Sequence, residues 1–270
     1  MIESLQGRLI FGRTTRIRPL QPGPYAGTYR TTAHRFAVSD GAVLEGWSAR
    51  PIDGRSEGAV LYFGGRNENV AWVADMASFN PDWAIHAFNY RGFGESTGRA
   101  SERRAKKDAQ AIHDFVAAGT DRGPLAIVGR SLGTAIALAL ARETRPARLV
   151  LMSPFESVPA VVRTPALGRL AAGLLTQRFA CADLAAAHAG ATLVLLAEHD
   201  ASIPHEQSRA LCARLPHSPR VKVVAGTTHQ SLPRSAGAQS EIARFLGSAA
   251  CCADRGAMSA ASGGSPPRPA

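Results

Sequence analysis

Six apolar runs of strand length recur along the chain: GAVLYFGG (58–65), WAIHAFNY (83–90), PLAIVG (124–129), RLVLMSP (148–154), ATLVLLAEHD (191–200) and RVKVVAG (220–226). They constrain the fold more than any other feature. A strand buried on both faces reads as a continuous apolar run, and parallel strands covered by helices are buried in that way. Between the runs opening at Trp83 and Pro124, Ala105, Ala109, Ile112 and Val116 are spaced four, three and four residues apart. Arg103, Arg104, Lys106 and Lys107 take other positions around the same helix, as a crossover covering a sheet requires. Further helices are predicted over 69–79, 132–144, 205–215 and 236–247. This β–α alternation predicts a doubly wound, mostly parallel sheet of about eight strands with helices on both faces.

The sheet is expected to open antiparallel. Arg35 to Ala49 alternates around Asp40-Gly41, a dipeptide suited to a two-residue hairpin with positive φ at both positions. The organisation read from the chain is an irregular, proline-rich N-terminal segment (1–32), one α/β domain (33–247) and a disordered tail (248–270). The tail's Gly, Pro, Ser and Ala content cannot bury a core. The link from Phe155 to Gly190 exceeds a simple crossover and predicts a minimal cap of one or two short helices.

Composition narrows the function classes. A formal charge of +10 suggests nucleic acid, but only three of the 31 basic residues are lysines and no basic tract is interleaved with aromatics. A solvated basic surface is the expectation, with no nucleic-acid partner. None of the four cysteines forms a C-x-x-C pair, as suits a reducing cytoplasm. No apolar stretch approaches a membrane span, so no stable membrane insertion is expected.

IVGRSLGT (127–134) places Ser131 between Gly129 and Gly133, where a strand must reverse sharply into a helix. Side chains at 129 and 133 would collide with neighbouring backbone; with glycine there, the turn lifts the serine hydroxyl above the sheet's carboxyl edge. A hydroxyl needs a base to accept its proton, and the base needs an orienting acid. Of the aspartates beyond Ser131, Asp183 lies in the link and Asp254 in the tail, whereas Asp200 ends a strand; Glu156 and Glu198 stand as substitutes. Of the later histidines, His205 starts a helix and His217 sits in a PHSP turn. His229, in GTTHQSL just past the last strand, is the candidate base. The N–H of Leu132 and that of Arg66, after Gly64-Gly65, are the candidate oxyanion donors. His199, Asp200 and His205 match no metal-ligand spacing, and neither metal nor cofactor is expected.

LYFGGRNENV, NYRGFGESTG, VGRSLGT, LLAEHDASIP and GTTHQSL stand in the order and approximate spacing of the alpha/beta hydrolase superfamily. The chain resembles its small, cap-poor branch, related to prolyl oligopeptidase catalytic domains and depalmitoylase-like alpha/beta hydrolase domain proteins. The resemblance spans about residues 33 to 247. It implies Ser131 as nucleophile, Asp200 as acid, His229 as base and Arg66 with Leu132 as oxyanion donors. NYRGFGES is implied as a loop shaping the floor of the site. Gly64-Gly65 replaces the His-Gly of many relatives, and THQS departs from their usual sequence after the last strand.

The function expected is a serine hydrolase of carboxylic esters or thioesters acting on a small acyl substrate. A noncatalytic binding or scaffold protein on the same fold is the alternative. Arg66 and Arg130 flank the site, and together they would favour anionic substrates. Against this, Arg130 could pair with Glu68 or Glu156, leaving Arg66 to contribute only its amide.

Overall fold

The computed structural model describes residues 2–12, 29–78, 80, 82–119, 123–161 and 176–248. A helix, α1 (Ile2–Phe11), precedes strands β1 (Tyr29–Ala37), β2 (Val43–Pro51) and β3 (Gly58–Phe63). A run of 3₁₀ turns (Val70–Ser78) leads to β4 (Trp83–Phe88), α2 (Glu102–Ala117), β5 (Leu125–Arg130), α3 (Leu132–Thr144) and β6 (Arg148–Met152). The short helices α4 (Val158–Val161) and α5 (Cys181–Ala186) follow. The chain then continues through β7 (Ala191–His199), α6 (His205–Cys212), β8 (Arg220–Thr228), a 3₁₀ turn (Leu232–Arg234) and α7 (Ala236–Gly247).

The strands form one eight-stranded sheet in the order β1-β2-β4-β3-β5-β6-β7-β8. β1 pairs with β2, and β2 with β4, antiparallel. All other pairings are parallel. The central strands are predominantly apolar because each face feeds its own core. Leu61, Ile127, Leu149 and Val194 pack with α2 and α3 on one side, while Val60, Val128, Val150 and Leu193 pack with the 3₁₀ run and α7 on the other. The helix α2 buries the stripe predicted for it, Ala105, Ala109, Ile112 and Val116, and its N-cap Ser101 accepts from the Arg104 N–H at 3.4 Å.

Four expectations are corrected. The N-terminal segment is not irregular throughout, since α1 occupies Ile2–Phe11, and the sheet begins at Tyr29. In the hairpin, Gly41 alone has positive φ, +82°. Its N–H donates to Val38 O while Val38 N–H donates to Ala42 O, so the loop is Ser39–Gly41, three residues with the left-handed glycine last. The segment 69–79 forms 3₁₀ turns over Val70–Ser78, with its first N–H groups taken by the side chains of Asn89 and Asn69. Finally, among the described residues β8 is an edge strand paired with β7 alone, and Val221 and Val223 are exposed where burial on both faces was expected. Part of the 155–190 link (162–175) and the tail from 249 lie outside the described residues.

Candidate active site

Ser131 sits at the junction of β5 and α3 with φ 49° and ψ −118°, a conformation rare for a residue with a side chain. The turn is held by Ser131 N–H donating to Met152 O at 2.8 Å and by the Thr134 hydroxyl donating to Ser131 O at 2.6 Å. Both flanking glycines are required by space. A Cβ at Gly129 would lie 2.6 Å from the Gly133 carbonyl oxygen, and one at Gly133 would overlap the carbonyls of Phe63 and Gly64. The Leu132 N–H, first in α3, has no acceptor within its helix.

The structure brings Asp200 and His229 to this turn. His229 Nε2 is 3.1 Å from Ser131 Oγ, and His229 Nδ1 is 2.8 Å from Asp200 Oδ2. The hydroxyl therefore donates to Nε2 and the Nδ1 proton points at the carboxylate, the arrangement that lets imidazole accept the serine proton. Asp200 also serves the turn after β7, because its Oδ1 accepts from the N–H groups of Ser202 and Ile203 at 2.9 and 2.8 Å. Burial pushes this carboxyl upward, but the hydrogen bonds from His229 and Ile203 outweigh it and hold the pKa down at about 2. Glu198 instead accepts from the Gly226 N–H at 2.8 Å, and the Glu156 backbone carbonyl accepts from the Cys181 N–H at 2.8 Å. His205 bonds the Ala197 carbonyl at 2.7 Å, and His217 is exposed.

The loop after β3 carries Gly64, Gly65 and Arg66 against the serine turn. A Cβ at Gly65 would stand 3.3 Å from that of Ser131. This loop is organised by Glu68. Its carboxylate accepts from Tyr62 Oη (2.9 Å), Trp72 Nε1 (3.0 Å), the Gly65 N–H (2.6 Å) and Arg130 Nη1 (2.8 Å). Arg130 extends the network with Nη2, which donates to the His229 carbonyl at 2.8 Å and to Gln230 Oε1 at 3.0 Å. One buried ion pair thus links the loops that carry Arg66, Ser131 and His229. Burial opposes the Arg130 charge, but the Glu68 carboxylate more than compensates and raises its pKa. Arg130 is accordingly committed to this pair, and Arg66 Nε donates to the Leu9 carbonyl at 3.2 Å. Neither arrangement supports an open two-arginine site for anionic substrates.

The NYRGFGES loop lies beneath. Tyr90 Oη donates to the Gly64 carbonyl at 2.9 Å, supporting the loop from below. Arg91 turns away and is ion-paired with Asp108 and Asp40.

Ser131 and His229 open onto a cavity of about 540 Å³ that is also lined by Arg66, Leu132, Phe155 and Ile203. The sequence reading missed the contribution of α1 to this wall, Leu9 and Ile10. Among the described residues no group of three or more His, Cys, Asp or Glu is placed to hold a metal. No helix among them is long and apolar enough to cross a membrane.

The chain belongs to the alpha/beta hydrolase superfamily of enzymes, whose fold it carries. A family profile described as serine aminopeptidase, S33, matches residues 54–186. An uncharacterized protein of Mycobacterium tuberculosis is 34% identical over 205 residues, covering 71% of this chain and 70% of that one. The lysophosphatidylserine lipase ABHD12 of Gallus gallus is 40% identical over 79 residues, 27% of this chain and 21% of its own length. Among solved structures, the Pyrococcus furiosus esterase Pf2001 shares the fold with a TM-score of 0.66 at 16% identity, over 87% of this chain and 98% of that one.

Proposed function

We propose that the chain is a serine hydrolase that cleaves carboxylic esters or thioesters of an apolar acyl group. The observation that carries this reading is the continuous path Ser131 Oγ, His229 Nε2, His229 Nδ1, Asp200 Oδ2, at 3.1 and 2.8 Å, at the wall of the cavity. Ser131 Oγ attacks the acyl carbon as its proton passes to His229 Nε2. The carbonyl electron pair moves to oxygen, where the N–H groups of Leu132 and Arg66 receive the negative charge; each such donor is worth about 3 kcal/mol. Collapse breaks the bond to the leaving group, which takes the proton from Nε2. Water then loses a proton to Nε2 and attacks the acyl-enzyme, and Ser131 Oγ departs with that proton. Asp200, ionised at neutral pH because its pKa is near 2, stabilises the imidazolium in both halves.

The name of one similar protein, a lysophosphatidylserine lipase matched over 79 residues, agrees with an ester substrate. Unpaired thiols at buried Cys181 and half-buried Cys212 fit the reducing cytoplasm expected for it.

A fluorophosphonate probe tests the site. It is expected to esterify Ser131 with loss of fluoride, located by peptide mass spectrometry. Ser131→Ala should abolish labelling and lower turnover of p-nitrophenyl acetate by about 10⁶-fold while the fold is retained. Labelling at another serine would move the site, and absence of both labelling and ester turnover would favour the noncatalytic alternative.

A further inference from the structure

The cavity's apolar wall comes from two directions: Phe155, Val158 and Val161 after β6, Ile203 after β7, and Leu9 and Ile10 from α1. The contribution of α1 is fixed rather than incidental. The last four carbonyls of a helix lack intrahelical donors, and in α1 three of them are supplied. Gly12 N–H donates to Arg8 O at 3.0 Å, Arg66 Nε to Leu9 O at 3.2 Å and Asn67 N–H to Phe11 O at 2.9 Å. Two of those donors belong to the loop after β3. Phe11 is buried edge-on against Tyr90 and Phe179, with ring centroids 5.2 and 5.7 Å away, and Gln6 Oε1 accepts from the Thr176 N–H and hydroxyl. With the helix so anchored, Leu9 lines the cavity while remaining 65% exposed, an unusual position for a leucine held in a fixed helix.

We infer that α1 is one wall of an acyl-binding site, and that the substrates are esters whose aliphatic acyl chain extends from Ser131 to cover Leu9 and Ile10. This rests on the reading of Ser131 as nucleophile. A cavity of about 540 Å³ falls within the range that accommodates small ligands. Its seven apolar lining residues, Leu132 included, offer an alkyl chain only hydrocarbon, while Arg130 is ion-paired with Glu68 and Arg66 Nε donates to Leu9 O. Covering Leu9 with an alkyl chain removes apolar surface of both partners from water, which drives binding without directional contacts. The working unit therefore extends beyond residues 33–247 to include α1.

The test compares kcat/KM for p-nitrophenyl octanoate and p-nitrophenyl acetate in the full chain, in Leu9→Asp and in Val221→Asp. Val221 is an exposed valine of β8 outside the cavity and serves as the control. The octanoate-to-acetate ratio is expected to fall roughly 10-fold to 100-fold in Leu9→Asp, the factor for withholding one leucine-sized apolar contact, and to stay at the wild-type value in Val221→Asp. A ratio in Leu9→Asp within about twofold of wild type, against that expected factor, would overturn the inference, as would an equal fall in Val221→Asp. Calorimetric binding of octanoate to Ser131→Ala, with and without Leu9→Asp, separates this from the nucleophile reading. If Ser131→Ala still hydrolyses acetate, the nucleophile is elsewhere and the affinities decide. Weakening by the same factor upholds the wall, and unchanged affinity removes it.

Discussion

Arg91 and Arg130 are both buried and both paired with a buried carboxylate, but they join different things. Arg91 meets Asp108 through two bonds, Nε to Oδ2 at 2.8 Å and Nη2 to Oδ1 at 2.7 Å, and reaches the half-exposed Asp40 with Nη1. It thereby ties the loop after β4 to α2 and to the first hairpin, all scaffold. Arg130 meets Glu68 once and spends its other contacts on the His229 carbonyl and Gln230. Each pair joins three segments, but those that Arg91 joins are scaffold, whereas the loops that Arg130 joins must keep a fixed spacing for the proposed chemistry. Burial and pairing alone therefore do not distinguish a structural arginine from a positioning one; what the pair connects does.

The largest effect expected from this contrast is on stability. Arg91→Met leaves Asp108 as a buried carboxylate without its partner, and unfolding in urea should show a loss of about 3–5 kcal/mol. Turnover per folded molecule should be unaffected. A fall in kcat at concentrations where the variant is folded would erase the distinction.

Arg130→Met should also destabilise the protein, but its signature is kinetic. Release of the His229 loop is expected to lower kcat on a short ester roughly 100-fold, the scale of a misplacement near 1 Å, with little change in KM. Adding Glu68→Gln to Arg130→Met removes the stranded charge and should restore much of the stability but not the rate. Recovery of both together would make Arg130 a scaffold residue like Arg91.

The smallest effect concerns acid. The Asp200 pKa, about 2 in the folded chain, lies below the roughly 3.9 of a free aspartate. Its contribution to stability is therefore complete above about pH 4 and is lost as pH falls through about 2. That contribution is on the order of 1–2 kcal/mol after allowance for screening. Unfolding curves of Asp200→Asn should thus depend less steeply on pH across this window than those of the wild type, and parallel curves would argue against the ionised Asp200–His229 bond.

Legibility in the sequence followed how local each cause is. The core strands were readable because burial on both faces leaves a continuous run, and α2 because its stripe is carried by one segment. The same rule misplaced β8, since Val221, Val223 and Val224 do not reveal whether another strand follows. Ser131 was marked by the glycines on either side, while Asp200 and His229 were reached through strand ends. Glu68 was one of two candidate partners for Arg130, because a contact across 62 residues has no periodicity to betray it. α1 was missed altogether. Its sequence is short and interrupted by Gly7, and Phe11 packs against aromatic rings from residues 90, 93 and 179, far along the chain.

At Gly133 the start of α3 rests directly on the carbonyls of Phe63 and Gly64, main chain against main chain. The closest approach of the serine turn to the loop bearing Arg66 is consequently limited by main-chain contact, by covalent geometry and atomic radii. Variation is free to act elsewhere, on Leu9, Val158, Val161 and Ile203, where a methyl group more or less reshapes the lining without altering that contact. A lineage built this way can retool its diet by small steps while the dimensions of its chemistry stay fixed.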